Sequence, residues 1–297
     1  MIFYQKLTLK KRFFITKIQN YTTREFVFFG SVWYNIFVYT GEQMQKWEIA
    51  LDKFMQRYVN KPWFLGAVLC GSYAAGNQNK LSDIDVTIVA TDDIGWQEKS
   101  NCYVDGFLME YIINPVYKYQ EYMKSGLESH APINQNMFAY GKILYDKNGI
   151  VKKLRQQSIR ELKQKIKPMP KYNSDFTKYR LWCRYDDMLS LKSDGYPIDL
   201  LYWSLVERLI GAYCDFNCLP HMPLAKVQKM LLDPVYAKNY HADKLPGKKF
   251  TSLLMDCFHA KQKDKLAALD KLYKYVIKSG GGFDIGEFRG KRKIEKR

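Results

Sequence analysis

Two aspartates, Asp83 and Asp85, stand two positions apart at the start of an apolar segment rich in β-branched residues, 84–90. That composition predicts a strand, and because side chains alternate along a strand, both carboxylates leave it on the same face. Neighbouring carboxylates repel each other unless a cation lies between them. Hard oxygen ligands of this kind suit Mg²⁺ or Mn²⁺. A solvated strand start with two surface acids is the alternative interpretation.

Gly71 and Ser72 follow directly after the apolar run 63–70, which is typical of a buried strand. A glycine at a turn from a strand into a helix lets the backbone approach a ligand closely. The free N–H groups and positive dipole end of a helix start suit phosphate, and the Ser72 hydroxyl can donate to the same oxygens. The alternative for Ser72 is an ordinary N-cap serine.

The two patterns together are more specific than either one alone. A second glycine, Gly76, follows Ser72 by four residues, and Ser82 directly precedes the aspartate pair. This arrangement predicts a triphosphate cradle at the end of one strand and two metal ligands at the end of the next. Phosphoryl transfer depends on positioning and charge neutralisation of this kind. The sequence therefore predicts an NTP as co-substrate and Mg²⁺ or Mn²⁺ as cofactor.

In these residues the chain resembles the DNA polymerase β-like nucleotidyltransferase superfamily. It is most similar to the branch of antibiotic and minimal nucleotidyltransferases that carry a helical C-terminal domain. The GSxxxG and SDxD motifs of that superfamily match Gly71, Ser72, Gly76, Ser82, Asp83 and Asp85. The motifs are short, and the pattern of strands and helices extends the resemblance more loosely over residues 44–278. The resemblance implies a metal-dependent enzyme that binds the nucleotide through Gly71 and Ser72 and the metal through Asp83 and Asp85.

The resemblance also implies a third carboxylate on a later strand, for which Glu110 is the candidate. Glu110 lies in an otherwise apolar run, 108–113, after an Asp105-Gly106 pair that predicts a two-residue hairpin. Burying an unpaired carboxylate is costly, so a charge there calls for a partner. By resemblance, Glu110 would bind the catalytic metal or take the proton from the acceptor hydroxyl. Asp105 is the competing candidate, although a turn aspartate accounts for it.

One position departs from the family pattern. Many relatives carry an arginine just before the second glycine, where this chain has Ala75. Lys80, in the following loop, is one candidate to replace that charge. Lys226, in the C-terminal half, could reach the triphosphate across a cleft, and a solvated helix lysine is the favoured alternative for it.

The elements that must position these residues follow from periodicity and from Pro and Gly punctuation. Apolar residues recur at helical spacing over 44–58. Strands are predicted at 63–70, at 84–90, on both sides of Asp105-Gly106, and at 142–145. Further helices are predicted over 117–140, 151–166, 175–193, 197–216, 223–231, 250–260 and 262–278.

The predicted fold class is an α/β (α+β) nucleotidyltransferase domain with a small mixed sheet, followed by an all-α helical bundle domain. The predicted limits are a poorly patterned N-terminal extension at 1–43, the nucleotidyltransferase domain at 44–150, the helical domain at 151–279, and a basic tail at 280–297. Because the periodicity sharpens at Met44, one hypothesis is that translation starts there. The codons of residues 41–43 can contain a purine-rich ribosome-binding site, and the intact mass of the native protein tests the idea.

Composition narrows the class of protein further. The 297-residue chain has a net charge of +17, which attracts polyanions. No apolar run is long enough to span a bilayer, and we expect a cytoplasmic protein without a membrane partner. The six scattered cysteines are expected to be reduced thiols. A zinc site from Cys214, Cys218, Cys257 and His259 is conceivable, but buried small hydrophobes are the favoured interpretation.

The acceptor cannot be identified from the sequence. An antibiotic is one candidate, and among antibiotics a neutral one suits the positive charge better than a polycationic aminoglycoside. An RNA or protein acceptor, as in toxin–antitoxin systems, is the alternative, and RNA agrees best with the charge. A non-catalytic nucleotide-binding module is a further alternative, which the paired aspartates disfavour.

Overall fold

A computed structural model of the protein describes residues 23–29, 32–38, 44–242 and 245–291. An N-terminal α/β region, built on one mixed sheet, is followed by a region that contains only helices. This arrangement confirms the fold class predicted from the sequence. The limits of the domains remain a prediction.

The strands and helices alternate in the first half of the chain only. The strands are β1 (Thr23–Phe29), β2 (Val32–Val38), β3 (Phe64–Leu69), β4 (Ile84–Ala90), β5 (Glu98–Val104), β6 (Phe107–Pro115) and β7 (Lys142–Lys147). The helices of the sheet region are α1 (Lys46–Met55), α2 (Gly71–Ala75), α3 (Val116–Glu128), α4 (Ile133–Tyr140) and α5 (Ile150–Leu162). Those that follow are α6 (Lys171–Ser193), α7 (Asp199–Phe216), α8 (Leu224–Leu232), α9 (Pro234–Asn239), α10 (Lys248–His259) and α11 (Lys265–Ser279).

The sheet has the strand order β1-β2-β7-β3-β4-β6-β5. Strands β4 and β6 run parallel, and every other neighbouring pair is antiparallel. Asp105 and Gly106 form the predicted hairpin turn between β5 and β6, both with positive φ, as a two-residue hairpin loop requires. The sheet is therefore mixed because β5 reverses the chain before β6 pairs with β4.

Both faces of the central strands are buried. One face packs against α1, whose predicted apolar stripe includes Leu51, Phe54 and Met55. The other face packs against α3, α4 and α5 through Tyr119 and Phe138. Side chains of β3 alternate between these two cores, which accounts for the uninterrupted apolar run in its sequence.

The helical region has its own core, formed mainly by α6, α7, α10 and α11. Residues of α7 are buried along most of its length, including Tyr202, whose hydroxyl donates to the Cys257 carbonyl oxygen at 2.7 Å. All six cysteines are free thiols, and Cys214 and Cys257 are buried. They take no part in either group of potential metal ligands found among the described residues. The favoured interpretation as buried small hydrophobes therefore agrees with Cys214 and Cys257, whereas Cys218 is only half-buried.

Several elements differ from the prediction. The single helix expected over 117–140 is two helices, because Pro132 lacks an N–H and disfavours helical geometry in the preceding residue. Helix α9 was not predicted. Strands β1 and β2 fall within the segment described as poorly patterned, and β2 pairs with the end of β7.

Helix α5 also differs from its predicted placement. It ends at Leu162 rather than at 166, and the sequence assigned it to the helical domain. Its buried residues Val151 and Leu154 belong instead to the core beneath the sheet. None of the helices in the described ranges has the length and apolar character needed to cross a bilayer.

Candidate active site

The structure brings the three predicted metal ligands together. Asp83 precedes β4, Asp85 lies at its start, and the parallel register of β4 and β6 places Asp85 beside Glu110. One carboxylate oxygen from each of the three lies within 4.8 Å of the others. The cluster follows from two local facts, the spacing of the aspartates along one strand and the register of the neighbouring strand.

Gly71 is required by the turn that faces this cluster. Its φ is +62°, and a Cβ atom built there would overlap the Oδ2 atom of Asp85. The preceding residue is also held beside the cluster, because the Cys70 N–H donates to the Asp85 carbonyl oxygen at 2.8 Å. A side chain at residue 71 would therefore displace the Asp85 carboxylate, so the backbone approaches it closely only with glycine.

The two serines of the motif have different positions. Ser72 is the second residue of the short helix α2, directly after Gly71, and is half-buried. Helix α2 ends at Gly76, whose left-handed φ of 72° is the usual geometry of a glycine that terminates a helix. Ser82, by contrast, accepts a hydrogen bond from the Asn79 N–H at 2.8 Å, which orders the loop leading to Asp83. Ser82 therefore positions the loop.

The electrostatics of the cluster are unbalanced. Burial, followed by the charges of Asp83 and Glu110, raises the pKa of Asp85 to about 6. The positive charges of Lys226 and Lys99 act in the opposite direction but do not cancel this effect. A divalent cation would remove the repulsion, and an all-carboxylate donor set suits Mg²⁺ or Mn²⁺. The residues present therefore fit the predicted metal.

Lys99 is a member of the site that the sequence analysis missed. Its Nζ atom lies 2.9 Å from Glu110 Oε1, with the Lys99 side chain 67% exposed. The hairpin register pairs Asn101 with Glu110, and Lys99 is two residues from Asn101 on the same face. The Asp105-Gly106 turn signal could have predicted this contact, because a two-residue loop determines the register of the strands that it joins.

The helical region supplies the other side of the site. Lys226 of α8 lies over the ring of Tyr240, with its Nζ atom 4.2 Å from the ring centroid. The pKa of Tyr240 is raised by burial and also by the charges of Asp85 and Asp83. Lys226 and Tyr240 therefore face the acidic cluster. The sequence favoured a solvated lysine at 226, and the tertiary arrangement instead places it half-buried near the carboxylates.

Two hydrogen bonds join this side to the loop that follows α2. Asn77 Nδ2 donates to the Tyr236 carbonyl oxygen at 3.2 Å, and Asn239 Nδ2 donates to Asn77 Oδ1 at 2.8 Å. These bonds join helix α9 to the loop that follows α2. Lys80, the other candidate for the missing arginine, is exposed on the same loop.

Asp105, the competitor of Glu110, lies at the hairpin turn. Its φ is 49°, and its Oδ2 atom lies 2.5 Å from Lys53 Nζ in an exposed ion pair. It does not belong to the acidic cluster, so the turn interpretation accounts for it.

No protein-family model matches the chain, and no curated protein sequence matches it. Among solved structures, one that it resembles is the crystal structure of a nucleotidyltransferase-like protein from Exiguobacterium sibiricum. The identity is 12%, the match covers 79% of this chain and 77% of that chain, and the TM-score is 0.35. A likeness at that level assigns no function, which has to be inferred from the geometry of the acidic cluster.

Proposed function

We propose that the protein is a metal-dependent nucleotidyltransferase, which transfers a nucleoside monophosphate from an NTP to a hydroxyl group of an acceptor. The supporting observation is the acidic cluster of Asp83, Asp85 and Glu110, with its ligand atoms within 4.8 Å, directly against the Gly71 turn. Three carboxylates held this close repel one another, Lys99 pairs with only one of them, and a bound cation would remove the remaining repulsion.

The three carboxylates would hold Mg²⁺ or Mn²⁺. When bound, such an ion neutralises charge on the phosphate oxygens that develops during transfer. The backbone at Gly71, the Ser72 hydroxyl and the Lys226 ammonium would bind the triphosphate. Gly71 allows close approach, and Lys226 supplies the positive charge that the family's arginine would provide at Ala75.

The chemistry is an exchange of one phosphorus–oxygen bond for another. The acceptor oxygen bonds to the α-phosphorus, the bond from that phosphorus to the bridging oxygen breaks, and pyrophosphate leaves. The hydroxyl proton goes to Glu110, whose side chain is 29% exposed and thus accessible to an acceptor. Asp85 is the less suitable base, because the backbone of the Gly71 turn packs against its Oδ2 atom.

The acceptor class is proposed on charge alone. An antibiotic remains a candidate, and the net charge of +17 favours a neutral antibiotic over a polycationic one. The same charge favours an RNA acceptor more strongly, because a basic protein concentrates a polyanion near its surface. A protein acceptor is the third candidate.

Transfer of label tests the proposal. The purified full chain is incubated with Mg²⁺ or Mn²⁺ and each of the four NTPs labelled at the α-phosphate, together with lincosamides, aminoglycosides, total tRNA or a cell-extract protein fraction. Asp85→Asn is compared with Asp93→Asn, which removes the same charge from an exposed residue beyond the opposite end of β4. We expect label on one acceptor class with the wild type and Asp93→Asn, and none with Asp85→Asn.

Two other outcomes have definite meanings. If the wild type binds an NTP in the presence of metal but labels none of these acceptors, the acceptor lies outside the panel. If it binds no NTP with either metal, the nucleotidyltransferase assignment is wrong, and a non-catalytic module becomes the better description.

A further inference from the structure

A second cluster of metal-ligating side chains lies away from the acidic site. It contains His130, Asp215 and His221, and one ligand atom from each lies within 4.8 Å of the others. His130 follows α3 in the sheet region, Asp215 lies in the last turn of α7, and His221 lies in the loop before α8. The cluster therefore joins the sheet region to the helical region. The spacing of the four histidines along the sequence does not indicate this site, because only tertiary packing assembles it.

His130 has a buried nitrogen without a hydrogen-bond partner. Its side chain is 7% exposed, and Nε2 lies 3.0 Å from the carbonyl oxygen of Lys167. A carbonyl oxygen only accepts, so Nε2 carries the proton, and in a neutral ring Nδ1 is then an unprotonated lone pair. Within the described chain, Nδ1 is buried and makes no hydrogen bond.

The groups around His130 Nδ1 would be stabilised by a cation. Asp215 Oδ1 lies 3.1 Å from His130 Nδ1 and 2.8 Å from His221 Nε2. An unprotonated nitrogen and a carboxylate oxygen at 3.1 Å repel each other unless a positive charge lies between them. A tetrahedral zinc ion with bonds of about 2.0–2.1 Å separates its ligand atoms by about 3.3 Å. The separation between His130 and Asp215 is close to that value, whereas the 2.8 Å between His221 Nε2 and Asp215 Oδ1 is a hydrogen-bond distance that would lengthen by about 0.5 Å around the ion.

The cluster also lies on the wall of a cavity. All three side chains line a space of about 710 Å³ between the end of α3, the 164–170 segment and the start of α6. A metal ion can therefore reach the cluster, and a position not filled by protein faces the cavity. A bound water can occupy that position, as in sites with three protein ligands.

We propose that His130, Asp215 and His221 bind Zn²⁺. Two imidazole nitrogens and one carboxylate oxygen are a donor set that suits this ion. The Lys167 carbonyl accepts from the other ring nitrogen of His130, which is the usual partner that orients a metal-binding histidine. The ion joins α3 to the end of α7 and to the loop that leads into α8. This site is separate from the proposed nucleotide transfer and does not depend on it.

Zinc binding to the full chain tests the proposal. The protein is stripped with a chelator, and Zn²⁺ is titrated in competition with a chromophoric chelator, in the Asp85→Asn background so that the acidic cluster does not contribute. We expect one tight site per chain. His221→Gln is the main test, because the His221 side chain is 36% exposed and we therefore expect its replacement to leave folding intact. His130→Gln is the second variant, and His259→Gln, at an exposed histidine outside the cluster, is the matched control.

Removing a residue that hydrogen-bonds to a metal ligand typically lowers metal affinity about 10–100-fold. We expect at least that loss of Zn²⁺ affinity in His221→Gln and His130→Gln, and no loss in His259→Gln. Cobalt substitution should give the visible d–d absorption of a tetrahedral ion in the wild type and lose it in His221→Gln. In the Asp85→Asn background with the histidine cluster intact, saturating Zn²⁺ should raise the Tm by about 5 °C or more. Absence of a tight site in the wild type, or equal affinity in His221→Gln and His259→Gln, would overturn the proposal.

Discussion

The two clusters of this protein differ in how the chain assembles them. Asp83, Asp85 and Glu110 come from one strand start and the neighbouring strand, within a single stretch of the sheet region. His130 follows α3 in the sheet region and Asp215 lies in α7, and the two side chains meet only in the folded chain. The first cluster has three acids and a raised pKa at Asp85, and the second has two bases around one acid. This comparison shows that a site formed by residue spacing along a strand and by strand register can be predicted from the sequence. A site formed by the packing of distant elements cannot be predicted in this way.

The largest expected effect concerns the acidic cluster. Asp85→Asn should lower nucleotide transfer by about 10³-fold, since a metal site contributes several kcal/mol to the barrier reduction. The same variant should keep full Zn²⁺ affinity at the histidine cluster. Transfer is measured with the labelled NTP, and Zn²⁺ by chelator competition. If Asp85→Asn lowered both, the two clusters would not be independent sites.

Gly71→Ala tests the close approach of the turn to Asp85. The φ of Gly71 is +62° and that of Gly76 is +72°, but only at Gly71 does a Cβ meet other atoms. Gly76→Ala therefore serves as the matched control for left-handed strain, which costs about 1–2 kcal/mol. We expect Gly71→Ala to lose about 1–3 kcal/mol more stability than the control, from overpacking against Asp85. Chemical denaturation measures the free energy of unfolding of both variants. Equal losses of stability would show that the turn can shift away from Asp85 to accommodate the added Cβ atom.

The raised pKa of Asp85 predicts a pH-dependent change in stability. Without metal, the unfolded chain loses this proton near its ordinary pKa of about 3.9, whereas the folded chain holds it until about pH 6. Folding stability from this group therefore falls as pH rises from about 4 to 6 and stays lower above. Asp85→Asn should stabilise the metal-free protein by about 1–3 kcal/mol at pH 7.5.

Thermal unfolding in chelator at pH 3.5 and pH 7.5 measures this effect. The stabilisation by Asp85→Asn should vanish at pH 3.5, where the carboxyl is protonated in both the folded and the unfolded state. The stabilisation at pH 7.5 minus that at pH 3.5 therefore measures the charge repulsion. With Mg²⁺ at pH 7.5, the wild type should instead unfold at a higher temperature than Asp85→Asn, because only the wild type keeps all three metal ligands. If Asp85→Asn stabilised the protein equally at both pH values, the stabilisation would not come from removing the charge of Asp85.

The smallest effect is expected at the link between the two regions. Lys226→Met should weaken NTP binding about tenfold, because it removes one positive charge facing the carboxylates and phosphates. Lys229→Met is the matched control, since that exposed lysine lies on the same helix, with its Nζ atom 5.6 Å from the centroid of the Tyr236 ring rather than over Tyr240. KM for the NTP should rise in the first variant with kcat little changed. If Lys226→Met and Lys229→Met had equal KM values for the NTP, Lys226 would have a packing role and no role in NTP binding.

Much of the sheet region could be predicted from sequence because its signals are local. The apolar run of β3, the β-branched β4 and the Asp105-Gly106 turn each predict an element without reference to distant residues. The turn also determines the register that pairs Asn101 with Glu110, and so the contact of Glu110 with Lys99. Errors arose where local signals compete, as at Pro132, which interrupts an otherwise helical pattern and is the N-cap of α4.

By itself, the sequence determined the acidic cluster and the glycine turn, because the spacing of residues along a strand decides which side chains share a face. Only the tertiary structure decided that α5 packs on the sheet, that Lys226 and Tyr240 face Asp85, and that His130 meets Asp215. Those contacts depend on how amphipathic helices pack, and the pattern of a helix shows which face is buried but not which partner buries it.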